Sequence, residues 1–198
     1  MTSNERDAKS RDEPALEPAV DALPPEPRPD SPYAAEIERE RRGWYEIVDL
    51  VRSLTPEECL EPGYQRDPDW TVRDVAAHLG TWLAEAEIQF ERISAGTYEG
   101  HDVDIDALNA ALLAAMDGQP WEVAWLQANA GRTRMVGEWW LLKQPTEEAA
   151  WWIRKAGCDH YDEHIGRLRE WIRELIERRV PEFPDEATTT LPPPLAGS

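Results

Sequence analysis

The feature that most constrains the fold is a set of apolar stripes with a helical repeat. Their apolar side chains recur at steps of three and four residues, so they share one face of an α-helix that must be buried. No segment shows the two-residue alternation of a half-buried strand, and no repeat of fixed period is present. The stripe nearest the C-terminus consists of Trp152, Ala156, His160, His164, Leu168, Trp171 and Leu175.

Breaks between the stripes predict four long helices and one short helix. Proline ends or opens several of them, since it lacks the amide that a helix interior needs. At the start of the second helix, Thr71-Val72-Arg73-Asp74 has the sequence of a capping box, which gives Asp74 a structural role. We therefore predict an all-α fold, an up-and-down four-helix bundle with one short extra helix. The expected limits are a first helix that ends near Thr55-Pro56, a second from Thr71 to about Ser94, a short one from Asp104 to Met116, a third long one opened by Pro120 and locally weakened by Gly131, and a last one from Pro145 to about Arg179.

Composition separates the two ends of the chain from its middle. Residues 1–33 are rich in Pro, Glu, Asp and Ala without a periodic apolar pattern, which predicts a disordered leader. Residues 180–198 contain Leu191-Pro192-Pro193-Pro194 and are predicted to be a disordered tail. Every tryptophan lies between these ends. We therefore predict a single folded domain over residues 34–179.

The net charge of −19 over 198 residues argues against two kinds of partner. Nucleic acids and anionic membrane surfaces select clustered Lys and Arg, so we expect neither as a partner. No apolar run is long enough to cross a membrane. The first residues contain acids and do not form a secretory signal, so we expect a cytoplasmic protein whose acidic excess provides solubility.

Two histidines lie on the apolar stripe of the last predicted helix. His160 and His164 are one turn apart and share a face. A buried imidazole is costly without a partner, and a shared divalent metal would pair with both rings. The alternative is that each ring bonds a carbonyl or carboxylate and fills space. Cys158 lies about 200° round the helix from His160, so we expect Cys158, like Cys59, to be a small buried apolar side chain.

A third histidine, His78, lies on the apolar face of the second predicted helix. In a bundle, the second and fourth long helices can face each other in the core, which would bring His78 to the histidine pair. Three imidazoles leave at least one coordination position for water or substrate, which is typical of a reactive metal. Zinc, nickel and iron all accept imidazole. Three neutral ligands leave the metal charge uncompensated, so the metal can acidify a bound water or thiol, or polarise a carbonyl.

The segment His160-Tyr161-Asp162-Glu163-His164 also matches the H-x-x-E-H signature of a zinc peptidase class. Little chain follows it to supply a further ligand and a substrate cleft, so we do not adopt this interpretation. Glu163 lies about 100° from His164 and could flank the metal as a base. We favour the alternative, an acid on the protein surface.

Three other residues have functional interpretations that compete with simpler ones. Arg167 could bind a substrate carboxylate, although we favour an exposed arginine paired with Glu163 or Glu170. Trp82 follows His78 by one turn and could line a pocket, whereas tryptophans at helical spacing more often fill a core. His101 lies in an acidic turn and is predicted to be solvated.

Several of these segments together resemble the DinB-like superfamily, in particular its branch related to mycothiol-dependent maleylpyruvate isomerase. The resemblance extends from the first helix to about Trp171. It implies a four-helix bundle that binds a divalent metal, commonly zinc or nickel, through His78, His160 and His164. The segments that carry it are Trp70-Thr71-Val72-Arg73-Asp74 with His78-Leu79 and Trp82, Asp104-Ile105-Asp106-Ala107-Leu108-Asn109, and His160 with His164.

The resemblance also implies a class of chemistry. Characterised relatives use low-molecular-weight thiols, such as mycothiol or bacillithiol, in transfer or isomerisation reactions in which the metal is expected to activate the thiolate. This chain has His160 where the isomerase has a glutamate, which makes the site more positive. The resemblance therefore does not extend to the specific isomerase activity.

Three functions are compatible with the sequence. The first is a metal-dependent thiol transferase or isomerase that acts on a small electrophile with a thiol cosubstrate. The second is a non-catalytic stress protein that binds a metal or small ligand on the same bundle. The third is a helical scaffold with ordinary core histidines. We expect small-molecule partners, assign no catalytic residue, and leave open the pairing of the bundle with a second copy of itself.

Overall fold

The computed structural model describes residues 32–66, 69–100 and 104–179, which are mostly helical. The all-α prediction is confirmed. Nearly all of the predicted leader, the predicted tail at 180–198, and His101 lie outside the described residues. Within those three ranges, none of the helices is both long and apolar enough to span a bilayer. The elements are α1 (Ala34–Val51), a 3₁₀ turn (Glu58–Leu60), β1 (Gln65–Arg66), β2 (Asp69–Trp70), α2 (Val72–Ala95), α3 (Ile105–Met116), α4 (Trp121–Leu141), α5 (Glu147–Ile153), a π-helical segment (Arg154–Cys158) and α6 (Asp159–Arg179).

The start of α2 is set by its local sequence. The Thr71 hydroxyl accepts a hydrogen bond from the Asp74 amide, and the Asp74 carboxylate accepts one of 2.8 Å from the Thr71 amide. These two reciprocal bonds satisfy amides that a helix start leaves without partners. The predicted capping box and the structural role of Asp74 are therefore confirmed.

Small residues allow α2 and α4 to pack closely. A Cβ atom on Gly80 would lie 2.8 Å from the Cα of Ala128, and one on Gly131 would lie 2.9 Å from the Gly80 carbonyl oxygen. Both distances are shorter than carbon atoms tolerate, so glycine is required for this approach of the two backbones. Gly131 thus has a packing role that its low helix propensity did not indicate.

The connection between α1 and α2 differs from the prediction. α1 ends at Val51, before the predicted stop near Thr55-Pro56. The segment predicted as a plain loop contains a short antiparallel pair, β1 with β2, in which Gln65 faces Trp70. The amides of Gly63 and Tyr64 both bond to the Trp70 carbonyl. These bonds fix the loop against the start of α2.

A π-helical segment interrupts the last predicted helix. Its residue Gly157 has φ −110° and ψ −106°, outside the helical region, and the Asp159 amide bonds to the Arg154 carbonyl five residues earlier. The backbone at Gly157 lies against α1, because a Cβ atom there would lie 3.0 Å from Cγ of Glu40. The wider turn changes which side chains lie near one another along this part of the helix.

Aromatic and thiol side chains fill the core as predicted. Cys59 and Cys158 are both buried, and burial raises the pKa of the first to about 12 and of the second to about 11. Both thiols therefore remain protonated at neutral pH. The most deeply buried tryptophans are Trp44, Trp82, Trp121, Trp139, Trp152 and Trp171.

A buried charged cluster in the core was not predicted. Glu40 on α1 accepts hydrogen bonds of 2.8 and 2.9 Å from Arg132 on α4, and one of 3.0 Å from the Tyr161 hydroxyl on α6. The Arg132 guanidinium also lies over the rings of Trp44 and Tyr45. Both oxygens of the carboxylate are therefore paired, which is what a buried charge requires. We call Glu40, Arg132 and Tyr161 the Glu40 network.

Candidate metal centre

Helices α2 and α6 bring the three predicted histidines together. His78, His160 and His164 each offer one ring nitrogen, and these nitrogens lie within 4.8 Å of one another. The Nε2 atoms of His78 and His160 are 2.8 Å apart. The His164 ring centroid lies 5.0 Å from that of His160 and 5.4 Å from that of His78. We call these residues the histidine cluster; their role as metal ligands stays a prediction.

Burial keeps the histidine cluster neutral. His160 is 6% exposed, while His78 and His164 are partly exposed. Burial lowers the pKa of His78 to about 4, and repulsion from Lys155 and from a protonated His164 acts in the same direction. Burial also lowers the pKa of His164 to about 4. The pKa of His160 is held well below its usual range by burial and then by His78 and His164. Neutral imidazole is the form that binds a metal.

Hydrogen bonding within the cluster is incomplete. The buried Nδ1 of His160 makes no hydrogen bond of normal geometry to any described residue. The Ala156 backbone nevertheless raises the pKa of His160 slightly against the lowering effect of burial. A buried polar atom without a partner costs about 1–3 kcal/mol. Burial of the His160 Nδ1 therefore lowers the stability of the folded protein, and no side chain in the described ranges forms a hydrogen bond that would offset this cost.

The nitrogens of the cluster fit one divalent metal. Two nitrogens bound to tetrahedral zinc at 2.0–2.1 Å would lie about 3.4 Å apart. This value falls between the 2.8 Å that separates the Nε2 atoms of His78 and His160 and the 4.8 Å that bounds the whole cluster. Cys158 does not join them, as predicted, because its thiol is directed to the Ile153 carbonyl at 3.9 Å. The three imidazoles could therefore hold one metal ion.

Tyr64 holds His164 from the loop before α2. Its hydroxyl oxygen lies 2.9 Å from Nδ1 of His164 and 3.4 Å from the carbonyl oxygen of the same residue. The hydroxyl can accept from Nδ1–H and donate to the carbonyl, which leaves Nε2 unprotonated for a metal. Burial raises the pKa of Tyr64 to about 12, so the hydroxyl stays neutral. The sequence analysis missed Tyr64 because an irregular loop carries no periodic signal.

Arg167 supports the loop that carries Tyr64. Its guanidinium donates to the carbonyls of Tyr64 at 2.6 Å and Gly63 at 2.8 Å, and to the Glu174 carboxylate at 2.8 Å. A weaker ion pair of 3.6 Å joins it to Glu170. Of the two predicted partners, Glu163 and Glu170, the structure pairs Arg167 with Glu170, and the shorter bond to Glu174 was not predicted. All three guanidinium nitrogens are engaged, so the interpretation of Arg167 as a carboxylate-binding residue is not supported.

Aromatic rings enclose the cluster on two sides. The centroid of the Trp70 ring lies 5.1 Å from that of His78 and 6.3 Å from that of His164. The centroids of the Trp82 and His160 rings are 5.8 Å apart, with the two rings nearly perpendicular. The Trp82 indole donates to the Asn109 side chain at 2.8 Å, which joins α3 to this wall. Trp82 therefore lies at the candidate site as well as in the core.

A cavity of about 440 Å³ opens beside His164. Glu163 lies at its edge, is exposed, and does not belong to the histidine cluster, in agreement with the favoured prediction of a surface acid. A small molecule can therefore reach one side of the cluster from solvent. The cavity is lined by Gly63, Tyr64, Gln65, Glu163, His164 and Arg167.

Comparison of the chain with protein-family models, curated proteins and solved structures finds no match. The resemblance to the DinB-like superfamily therefore depends on the sequence segments alone.

Proposed function

We propose that this chain is a metal-dependent enzyme of the DinB-like type, in which a low-molecular-weight thiol is transferred to, or promotes isomerisation of, a small electrophile. The observation that carries the proposal is the convergence of three neutral imidazoles, with neither carboxylate nor thiolate in the cluster among the described residues. Such a donor set suits zinc or nickel. The packing of α2 on α4 and of α1 on α6 supports an up-and-down four-helix bundle.

Two features favour a reactive site over a structural one. A structural zinc site is almost always closed by four protein ligands, whereas three imidazoles leave a position open. The cavity beside His164 gives a small molecule access to the cluster. Three imidazole nitrogens within 4.8 Å of one another suit a shared metal better than they suit simple core packing.

Each part of the site would have a distinct role. The three histidines would hold the metal, and Tyr64 would keep His164 in the tautomer that exposes Nε2. Trp70 and Trp82 would form apolar walls that limit water around the ligands. A divalent metal held there would supply positive charge that lowers the pKa of a thiol or polarises a carbonyl.

A non-catalytic metal- or ligand-binding protein is the second candidate. Among the described residues, no carboxylate lies within the histidine cluster to act as a general base. Proton transfer would then depend on the thiol itself or on solvent, whereas a binding protein needs no such group. Turnover with a thiol distinguishes the two candidates.

The experiment that tests the proposal is metal analysis of the protein purified without a histidine tag and incubated with zinc or nickel. We expect about one metal per chain in the parent, none in the His160→Ala, His164→Ala double variant, and full occupancy in Glu163→Ala, a matched control on the same helix. A parent that takes up no metal would refute the proposal. Metal-loaded protein is then assayed for thiol addition to small electrophiles; metal binding without turnover would leave the second candidate.

A further inference from the structure

Arg167 holds the part of the loop from which the Tyr64 hydroxyl reaches the histidine cluster. Its Nε donates to the Tyr64 carbonyl at 2.6 Å, and its Nη2 donates to the Gly63 carbonyl at 2.8 Å. The amides of the same two loop residues bond to the Trp70 carbonyl at 3.3 and 3.0 Å. The amides and the carbonyls of Gly63 and Tyr64 therefore all have partners, which fixes this irregular backbone on both sides.

The guanidinium of Arg167 is itself held against α6. Its Nη1 donates to Glu174 at 2.8 Å, and its central carbon lies 5.7 Å from the centroid of the Trp171 ring. The loop approaches the same ring closely, because a Cβ atom on Gly63 would lie 2.6 Å from it and the φ angle there is +124°. Glycine is required for this approach. The planar guanidinium can then reach two successive carbonyls of the loop.

These contacts form a closed path that begins and ends on α6. His164 and Arg167 are three residues apart on this helix, so they lie on one face. The path runs from Nδ1 of His164 to the Tyr64 hydroxyl at 2.9 Å, through the Tyr64 backbone to Arg167, and back along the helix. The helix that provides a candidate metal ligand thus also provides the side chain that holds the partner of that ligand.

We propose that Arg167 is a positioning residue of the metal centre, which keeps His164 in its ligating orientation by acting through Tyr64. This inference rests on the proposed function, because it requires a metal at the histidine cluster. Tyr64 can orient the His164 ring only while its hydroxyl stays at Nδ1, and the bonds from Arg167 hold the Tyr64 backbone in that place. Loss of an outer partner of this kind lowers metal affinity about 10–100-fold.

The sign of the effect separates positioning from simple charge. A guanidinium repels a bound cation, so loss of its charge alone would tighten metal binding, whereas loss of its bonds to the loop would weaken it. Arg178 on the same helix offers a matched control. Its guanidinium carbon lies 4.8 Å from the centroid of the same Trp171 ring, and its Nη1 donates to Glu61 at 2.6 Å rather than to the backbone that carries Tyr64.

The test measures the zinc affinity of the full-length chain by competition with a chelator. Arg167→Met should lower the affinity about tenfold, while Arg178→Met should change it by less than about twofold. In the Tyr64→Phe background, Arg167→Met should have little further effect, because the contact through which it acts is already absent. Arg167→Lys keeps a donor and the charge but not the planar fork, so its affinity should lie between those of the parent and Arg167→Met.

Cobalt-loaded samples supply a readout that overall stability does not change. Arg167→Met and Tyr64→Phe should alter the visible spectrum of the bound cobalt in the same way, since both release the same ligand ring. Urea denaturation of the metal-free variants checks that each one folds. If Arg167→Met does not fold, the same comparison is made with Arg167→Lys, for which a smaller loss of affinity in the same direction is expected.

Three results would overturn the positioning role. Arg167→Met could bind zinc as tightly as the parent or more tightly, Arg178→Met could weaken binding equally, or the losses from Arg167→Met and Tyr64→Phe could multiply to about a hundredfold, as independent effects do. Metal content of the parent separates the two proposals. A parent that takes up no metal refutes both, whereas a parent that binds zinc without dependence on Arg167 refutes only the positioning role.

Discussion

Two groups of polar side chains include neighbouring buried residues of α6, and they differ in how fully their polar atoms are hydrogen-bonded. Tyr161 belongs to the Glu40 network, in which the carboxylate is paired with Arg132 and with the Tyr161 hydroxyl. His160 belongs to the histidine cluster, in which its Nδ1 makes no hydrogen bond of normal geometry to any described residue. We therefore expect changes in the Glu40 network to act on stability, and changes in the histidine cluster to act mainly on metal binding.

Removal of one partner from the Glu40 network should have the largest effect. Arg132→Met would leave Glu40, which is only 1% exposed, as a buried carboxylate without a counterion. We expect the free energy of unfolding to fall by about 3–5 kcal/mol, measured by urea denaturation with tryptophan fluorescence. In the double variant Glu40→Leu, Arg132→Met, most of that loss should be recovered, since no buried charge remains.

The control for this prediction is an exposed ion pair between α2 and α4. Arg134 pairs with Glu87 at 2.8 Å while its side chain is 53% exposed, so Arg134→Met should cost at most about 1 kcal/mol. If the double variant were as unstable as Arg132→Met, charge compensation would not be the role of the network.

Metal bound at the histidine cluster should stabilise the folded protein, and this stabilisation should not depend on the Glu40 network. At zinc about a hundredfold above its dissociation constant, the parent should gain about 2.7 kcal/mol, seen as a rise in Tm that a chelator reverses. His164→Ala should show no such gain. The Glu40→Leu, Arg132→Met variant should keep the gain; if the gain disappeared, the two clusters would be one coupled unit and the comparison would be wrong.

The same substitution, tyrosine to phenylalanine, can be made once in the histidine cluster and once in the Glu40 network. Tyr64→Phe removes the hydroxyl at His164 and should lower metal affinity about tenfold, the effect expected for a group that orients a ligand. Tyr161→Phe removes a hydrogen bond to Glu40 and should lower the free energy of unfolding by about 1–2 kcal/mol with metal affinity unchanged. Isothermal titration and urea denaturation of both variants measure the two quantities. The reverse pattern would contradict the roles given to the two side chains.

The smallest expected effect has the opposite sign. In metal-free protein, His160→Leu removes a buried polar ring that has an unpaired nitrogen and should raise the free energy of unfolding by about 1 kcal/mol. The same variant should lose the stabilisation by zinc. Urea denaturation with and without metal measures both effects, and a fall in the stability of the metal-free protein would show that His160 is already satisfied by the fold.

Features with a local signal were predicted correctly. The capping box at Thr71 and Asp74 depends on residues three apart, and the common face of His160 and His164 depends on one helical turn. The pairing of Glu40 with Arg132 joins residues 92 positions apart. No pattern within a helix indicates such a pair, so the sequence analysis missed it. Tyr64 was missed for a related reason, because it meets His164 across 100 positions from an irregular loop.

The sequence by itself determined the helical class of this protein, the start of α2, and the faces on which its histidines lie, because these follow from periods and caps that span a few residues. Only the tertiary structure decided that His78 meets the pair on α6, which buried carboxylate binds Arg132, and that a π-helical segment interrupts the last predicted helix. These depend on contacts between elements and on one change of helical pitch near Gly157. Neither leaves a local signature in the order of residues.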